Sequence, residues 1–141
     1  MIEKQNIESL VKEAIKRTTL FIVAVKVSSS NRITVLADKN EGITIEECAS
    51  IHRYIENGLD RDVEDFELQV SSPGLDAPFV VFEQYMKNEG RKVEVTDVEG
   101  SRYTGNLKNV TRGGFELEAK LKVLSFNFDQ IKTTRVILTI K

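Results

Sequence analysis

The chain has one cysteine, one histidine, two prolines and no tryptophan in 141 residues. A single cysteine, Cys48, permits no internal disulfide and no cysteine-based zinc cluster. The longest apolar run, Leu20 to Val25, falls far short of the roughly 20 residues of a membrane-spanning helix. The amino end, Met1-Ile2-Glu3-Lys4-Gln5-Asn6, lacks the basic-then-apolar layout of a signal peptide. The expectation is a cytoplasmic protein with no membrane partner. No repeat or low-complexity segment is present. Apolar and charged fractions of 40% and 30% are those of an ordinary soluble globular protein. The length suits one compact domain or two small ones.

Both prolines fall in one stretch, Ser71-Ser72-Pro73-Gly74-Leu75-Asp76-Ala77-Pro78. Proline presets φ at the first central position of a type II turn, and glycine supplies a positive φ at the second. Pro78 has no N–H, so it can open a helix but not sit inside one. Helix and strand patterns mix before this stretch, and short strands dominate after it. It reads as a joint between an α/β domain over residues 1–76 and a β-rich domain over residues 77–141.

Charge also divides there. Residues 1–78 carry 9 Lys and Arg against 14 Asp and Glu, a net of −5. Residues 79–141 carry 11 against 8, a net of +3. Such asymmetry can mark two contact surfaces. The excess of +3 is too small to identify a nucleic-acid binder by itself.

Ile7, Leu10, Val11, Ala14 and Ile15 form one apolar stripe on a helix. Leu20 to Val27 reads as a strand with Phe21, Val23, Val25 and Val27 on one face. After the turn Ser28-Ser29-Ser30-Asn31, Ile33, Val35 and Ala37 mark an antiparallel second strand. Thr44-Ile45-Glu46-Glu47 has the spacing of a capping box. Ile45, Cys48, Ile51, His52, Ile55 and Leu59 make the stripe of the helix that follows. An acidic loop over 60–65 precedes a third strand with Phe66, Leu68 and Val70 on one face.

In the second half, Phe79, Phe82 and Met86 predict a short helix ending near Gly90. Val93 and Val95, Tyr103 to Val110, Phe115 and Leu117, Leu124, Phe126 and Phe128, and finally Val136, Leu138 and Ile140 predict five short strands. Gly105 inside its strand suggests the bend of a small closed or half-open barrel.

No catalytic constellation stands out. Cys48 and His52 are one helical turn apart but lie on an apolar stripe, so both are expected in the core. Asp60, Asp62, Glu64 and Asp65 lack the glycine and final glutamate of a calcium loop. No metal or cofactor is expected, and no enzyme activity. Arg91, Lys92, Arg102, Lys108 and Arg112 cluster in sequence around the first barrel strands, near Tyr103 and Phe115. RNA-binding barrels mix basic residues with stacking aromatics. Phe115, Phe126 and Phe128 alternate with polar residues and are expected inside the barrel, while Tyr103 fits either role.

Leu68-Gln69-Val70-Ser71-Ser72-Pro73-Gly74-Leu75-Asp76 resembles the signature of the ribosome maturation factor RimP family. Gly42-Ile43-Thr44-Ile45-Glu46-Glu47-Cys48-Ala49 and Leu59-Asp60 are similar to that family's second helix and its exit. The family usually has arginine where this chain has Ala77, and often a glycine near Thr18. The resemblance implies an N-terminal αββαβ domain followed by a small SH3/Sm-like β-barrel. It also implies a bacterial, monomeric, non-enzymatic factor that binds the immature small ribosomal subunit, partly through a basic ribosomal protein. Under that reading Asp60, Asp62 and Glu64 are expected to meet the basic protein. Arg102, Lys108 and Arg112 are expected to meet ribosomal RNA. A free RNA-binding protein using the barrel is the alternative.

Overall fold

Ile7 and Val11, one turn apart on α1 (Lys4–Ala14), are fully buried, as the stripe requires. Helix α2 (Ile45–Asn57) opens on the expected capping box. The Glu47 amide donates to Thr44 Oγ1 at 3.1 Å, and the Thr44 amide donates to Glu47 Oε1 at 2.9 Å. Such a cap contributes about 1 kcal/mol. Strands β1 (Phe21–Val27) and β2 (Arg32–Asp38) form an antiparallel hairpin. Strand β3 (Glu67–Ser71) lies parallel to β2, giving the order β1-β2-β3. A parallel neighbour needs a crossover, and α2 supplies it. Ile7, Val11, Ile51 and Ile55 from the helices share one core with Val25, Ile33, Val35, Ala37 and Phe66. The computed structural model describes residues 1–138.

The α2 stripe is narrower than the sequence reading. Ile45 is 89% exposed, and Cys48 and His52 are only half-buried. At about 100° per residue, Ile45 lies about 120° around the helix from Ile51, outside the face that Ile51 and Ile55 bury. His52 sits on the flank of that face for the same reason. Strand β1 also departs from simple alternation. Its register with β2 shifts between Ile22 and Ala24, so Val23 is the extra residue of a bulge.

The chain divides into two compact units, Met1–Pro73 and the segment from Gly74 onward. The joint turns differently from the type II expectation. Gly74 is not among the positive-φ glycines, which are Gly42, Gly90 and Gly100. The turn instead runs from Gly74 to Ala77, whose amide donates to the Gly74 carbonyl at 3.1 Å.

In the second unit, α3 (Phe82–Lys87) is six residues long and buries Gln84 and Tyr85, while Met86 is 52% exposed. The expected Phe79–Phe82–Met86 stripe fails because the helix starts only at Phe82. Phe79 precedes it, and its amide donates to the Thr134 carbonyl at 2.7 Å. Strands β4 (Lys92–Asp97), β5 (Arg102–Lys108), β6 (Gly114–Ala119), β7 (Lys122–Asn127) and β8 (Ile131–Val136) form one antiparallel sheet. Its order is β7-β6-β5-β4-β8. Among the described residues the outermost strands β7 and β8 are not paired with each other, so the sheet is open and, of the closed or half-open barrel expected, the closed form is not present. Gly114 is required where β6 meets β7, since a Cβ there would sit 1.9 Å from the Phe126 carbonyl oxygen. Val93, Val95, Leu107, Phe115, Leu117 and Tyr85 form the core of this unit. Phe126 and Phe128 pack against it, in line with the expectation that these rings are interior. The last strand starts at Ile131, earlier than its apolar spacing suggested. Leu138 lies beyond it and is 52% exposed, and Ile140 is outside the described residues.

Candidate functional site

The 60–65 loop is folded around a cation. Arg61 donates from Nη1 to Asp65 Oδ1 at 2.8 Å and to the Phe66 carbonyl at 2.7 Å. Its Nη2 reaches Glu56 Oε2 at 3.4 Å, and its guanidinium lies 4.0 Å from the centre of the Phe66 ring. The hydrogen bond to Asp65 raises the Arg61 pKa further. The Arg61 bond and the Phe66 amide hold Asp65 below its usual range. Glu64 is likewise held below its usual range, first by the terminal ammonium of Met1 at 2.7 Å and then by the Asn31 amide at 3.1 Å.

Asp60, Asp62 and Glu64 thus share one loop but not one role. Glu64 is committed internally. Asp60 Oδ1 accepts the Asp62 amide at 2.9 Å, and both aspartates are exposed. No ion pair engages either aspartate among the described residues. Val63, between Asp62 and Glu64, is 79% exposed. The loop therefore offers two outward carboxylates and an apolar side chain. At the start of α2, Glu47 is also internally used. The Thr44 amide and then Lys39, at 3.0 Å, lower its pKa. Arg61 was passed over in the sequence, although an arginine with Glu56 five residues before it and Asp65 four after it is the signal of such a hub.

Among the described residues no hydrogen bond joins Cys48 and His52 as a nucleophile–base pair. His52 Nδ1 lies 2.9 Å from Glu56 Oε1. Burial, followed by the Glu47 charge, pushes the Cys48 thiol up, away from the reactive thiolate. Among the described residues no group of three or more His, Cys, Asp or Glu is placed to hold a metal ion.

On the second unit, Arg102, Lys108 and Arg112 are not brought together. Arg102 and Lys108 sit at opposite ends of β5, about 20 Å apart at about 3.4 Å per residue. Lys108 is opposite Glu116 in register. Arg112, in the β5–β6 turn, lies with its guanidinium 4.4 Å from the Phe82 ring centre. There it borders a groove of about 330 Å³ lined by Phe79, Phe82, Tyr85, Phe128 and Lys132. Tyr103 is not a free stacking platform. Its ring lies 5.2 Å from Phe126, and its hydroxyl donates to Asp97 Oδ2 at 3.2 Å.

These features define an α+β protein of two compact units, carrying an acidic loop on the first and dispersed basic groups on the second. The profile of the RimP N-terminal domain matches residues 10–76. The ribosome maturation factor RimP of Porphyromonas gingivalis (strain ATCC BAA-308 / W83) is 35% identical over 118 residues, covering 84% of this chain and 78% of that protein. The protein of the same name from Christiangramia forsetii is 31% identical over 120 residues, with the same two coverages. That from Flavobacterium psychrophilum is 32% identical over 96 residues, or 67% of this chain and 62% of its own. The chain belongs to the RimP family of ribosome maturation factors.

Proposed function

We propose that this chain assists maturation of the small ribosomal subunit as a cytoplasmic, monomeric binding factor and without catalysing a reaction. Membership in the RimP family is the observation that carries this reading. The acidic loop supports a basic ribosomal protein as the direct partner. Asp60 and Asp62 point their charge outward, with Val63 between them to give apolar contact. Glu64 serves the contact by holding the loop to Met1 and Asn31. Complementary charge of this kind mainly speeds encounter and sets orientation.

Co-sedimentation of the tagged full chain with immature and mature small subunits tests the proposal. Preferential travel with the immature particle is expected, and failure to travel with either particle would reject it. Reversing Asp60 and Asp62 to Lys should weaken binding to the isolated basic protein several-fold at low salt. The difference should shrink as salt rises, because exposed charges are screened beyond about 10 Å at 0.1 M. Unchanged affinity at low salt would show that this loop is only a solvated surface.

A further inference from the structure

We propose that the concave surface formed by Lys92, Lys120 and Lys122 on the open sheet binds the sugar–phosphate backbone of RNA. This inference rests on the reading that the chain works on a ribosomal particle, and it assigns the RNA contact to residues other than Arg102, Lys108 and Arg112. The three lysines come from distant points in the chain and line one depression. Lys92 on β4 is opposite Asn106 on β5, which is opposite Glu118 on β6. Lys122 on β7 is opposite Ala119, and Lys120 stands in the tight connection between β6 and β7. The depression has a volume of about 500 Å³.

Gly105 also lines it. A Cβ there would lie 2.7 Å from the Glu118 carbonyl oxygen, so the strand can carry no side chain at that point. The lysines around it are exposed, and no ion pair engages them among the described residues. Glu118 is the single carboxylate lining the depression. Thr104 and Asn106 add a hydroxyl and an amide that can donate to phosphate oxygens. Lys120 holds φ at +43°, a region where glycine or asparagine would cost less. Leu121, beside it, is fully exposed and contributes nothing to the core.

This chemistry suits RNA better than an acidic protein. Protein interfaces draw most of their affinity from aromatic or apolar anchors seated in pockets. Here three ammonium groups and two polar donors stand around an open depression with one carboxylate, and no aromatic or large aliphatic side chain lines it. Phosphate recognition needs only cations and donors at the right spacing.

The test is fluorescence anisotropy of the full chain with a short labelled RNA duplex, read across a salt series. The combined variant Lys92→Gln, Lys120→Asn, Lys122→Gln should melt near the wild-type temperature and bind about tenfold or more weakly at low salt. Its slope of log affinity against log salt should flatten by about 2 to 3, as expected for three lost phosphate contacts. The Lys→Arg triple should keep both affinity and slope. Equal binding by wild type and the Gln/Asn variant overturns the proposal, as does a wild type that does not bind the duplex. A loss seen only on neutralising Arg102, Lys108 and Arg112 overturns it too, as does equally tight binding of a polyglutamate peptide. Co-sedimentation separates this idea from the broader function. If wild type fails to travel with the particle, the function is wrong; if the lysine variant travels as well as wild type, this site is wrong.

Discussion

Arg61 shows how one side chain changes the meaning of a charge run. In the sequence, 60–65 is an acidic loop. In the structure, the guanidinium neutralises Asp65 and Glu56, caps the Phe66 carbonyl and stacks on the Phe66 ring. Three carboxyls of this unit, Glu47, Glu64 and Asp65, have pKa values lowered by hydrogen bonds and nearby cations. A group depressed in the folded state stabilises the fold above its unfolded pKa and loses that contribution as pH falls through its folded pKa. Thermal stability should therefore fall between about pH 5 and pH 3. The combined variant Glu47→Gln, Glu64→Gln, Asp65→Asn should be less stable at neutral pH and show a flatter pH dependence. Parallel melting curves across that window for variant and wild type would show that these bonds do not favour the folded state.

The short helix α3 has too few residues to be stable alone, since isolated helices below about 12–15 residues are marginal. Tertiary contacts hold it. Tyr85 packs with its ring centre 4.9 Å from Phe79, 5.3 Å from Phe115 and 4.9 Å from Phe128. Its hydroxyl and the fully buried Thr134 hydroxyl hydrogen-bond at 2.9 Å. Burial outweighs that bond and raises the phenol pKa. Gln84 Oε1 accepts the Val80 and Val81 amides, fixing the entry to the helix. Tyr85→Phe should cost about 1–2 kcal/mol, because Thr134 loses its partner in the core. Tyr85→Ala should cost about 3–5 kcal/mol. Denaturant midpoints check both, and a neutral Tyr85→Phe would mean the hydroxyl pair adds no net stability. The sequence pattern singled out Phe79, Phe82 and Met86 because all three are apolar at near-helical spacing. It could not register Tyr85, whose place depends on a strand 49 residues away.

Across the whole molecule, each unit has its own buried core. The Gly74–Pro78 segment is mostly exposed, with Leu75 at 78%. Limited proteolysis should cut there and leave two folded pieces. The piece from Gly74 onward should be the weaker, since a core of that size rarely supplies more than roughly 3–5 kcal/mol. Made alone, it should still unfold cooperatively in denaturant; a non-cooperative transition would show that it is not an independent domain. The cleavage expectation is the one the sequence supports directly, because Pro73, Gly74 and Pro78 interrupt both helix and strand patterns.

Local chemistry was enough for the features that depend on neighbours along the chain. The Thr44–Glu47 cap, the buried faces of α1 and β2, and the acidic loop all follow from residues within a few positions of one another. The same holds for the family signature at 68–76. Tertiary structure decided everything that depends on residues meeting from a distance. It set β3 parallel to β2, held Tyr85 against Thr134, and left the second sheet open. It also separated Arg102 from Lys108 by the length of a strand and gathered Lys92, Lys120 and Lys122 around Gly105. The reason is that strand pairing, and hence which side chains share a surface, is set by hydrogen bonding between segments with no fixed separation in sequence. Spacing within a segment reports which face a residue takes; register between segments decides what it faces.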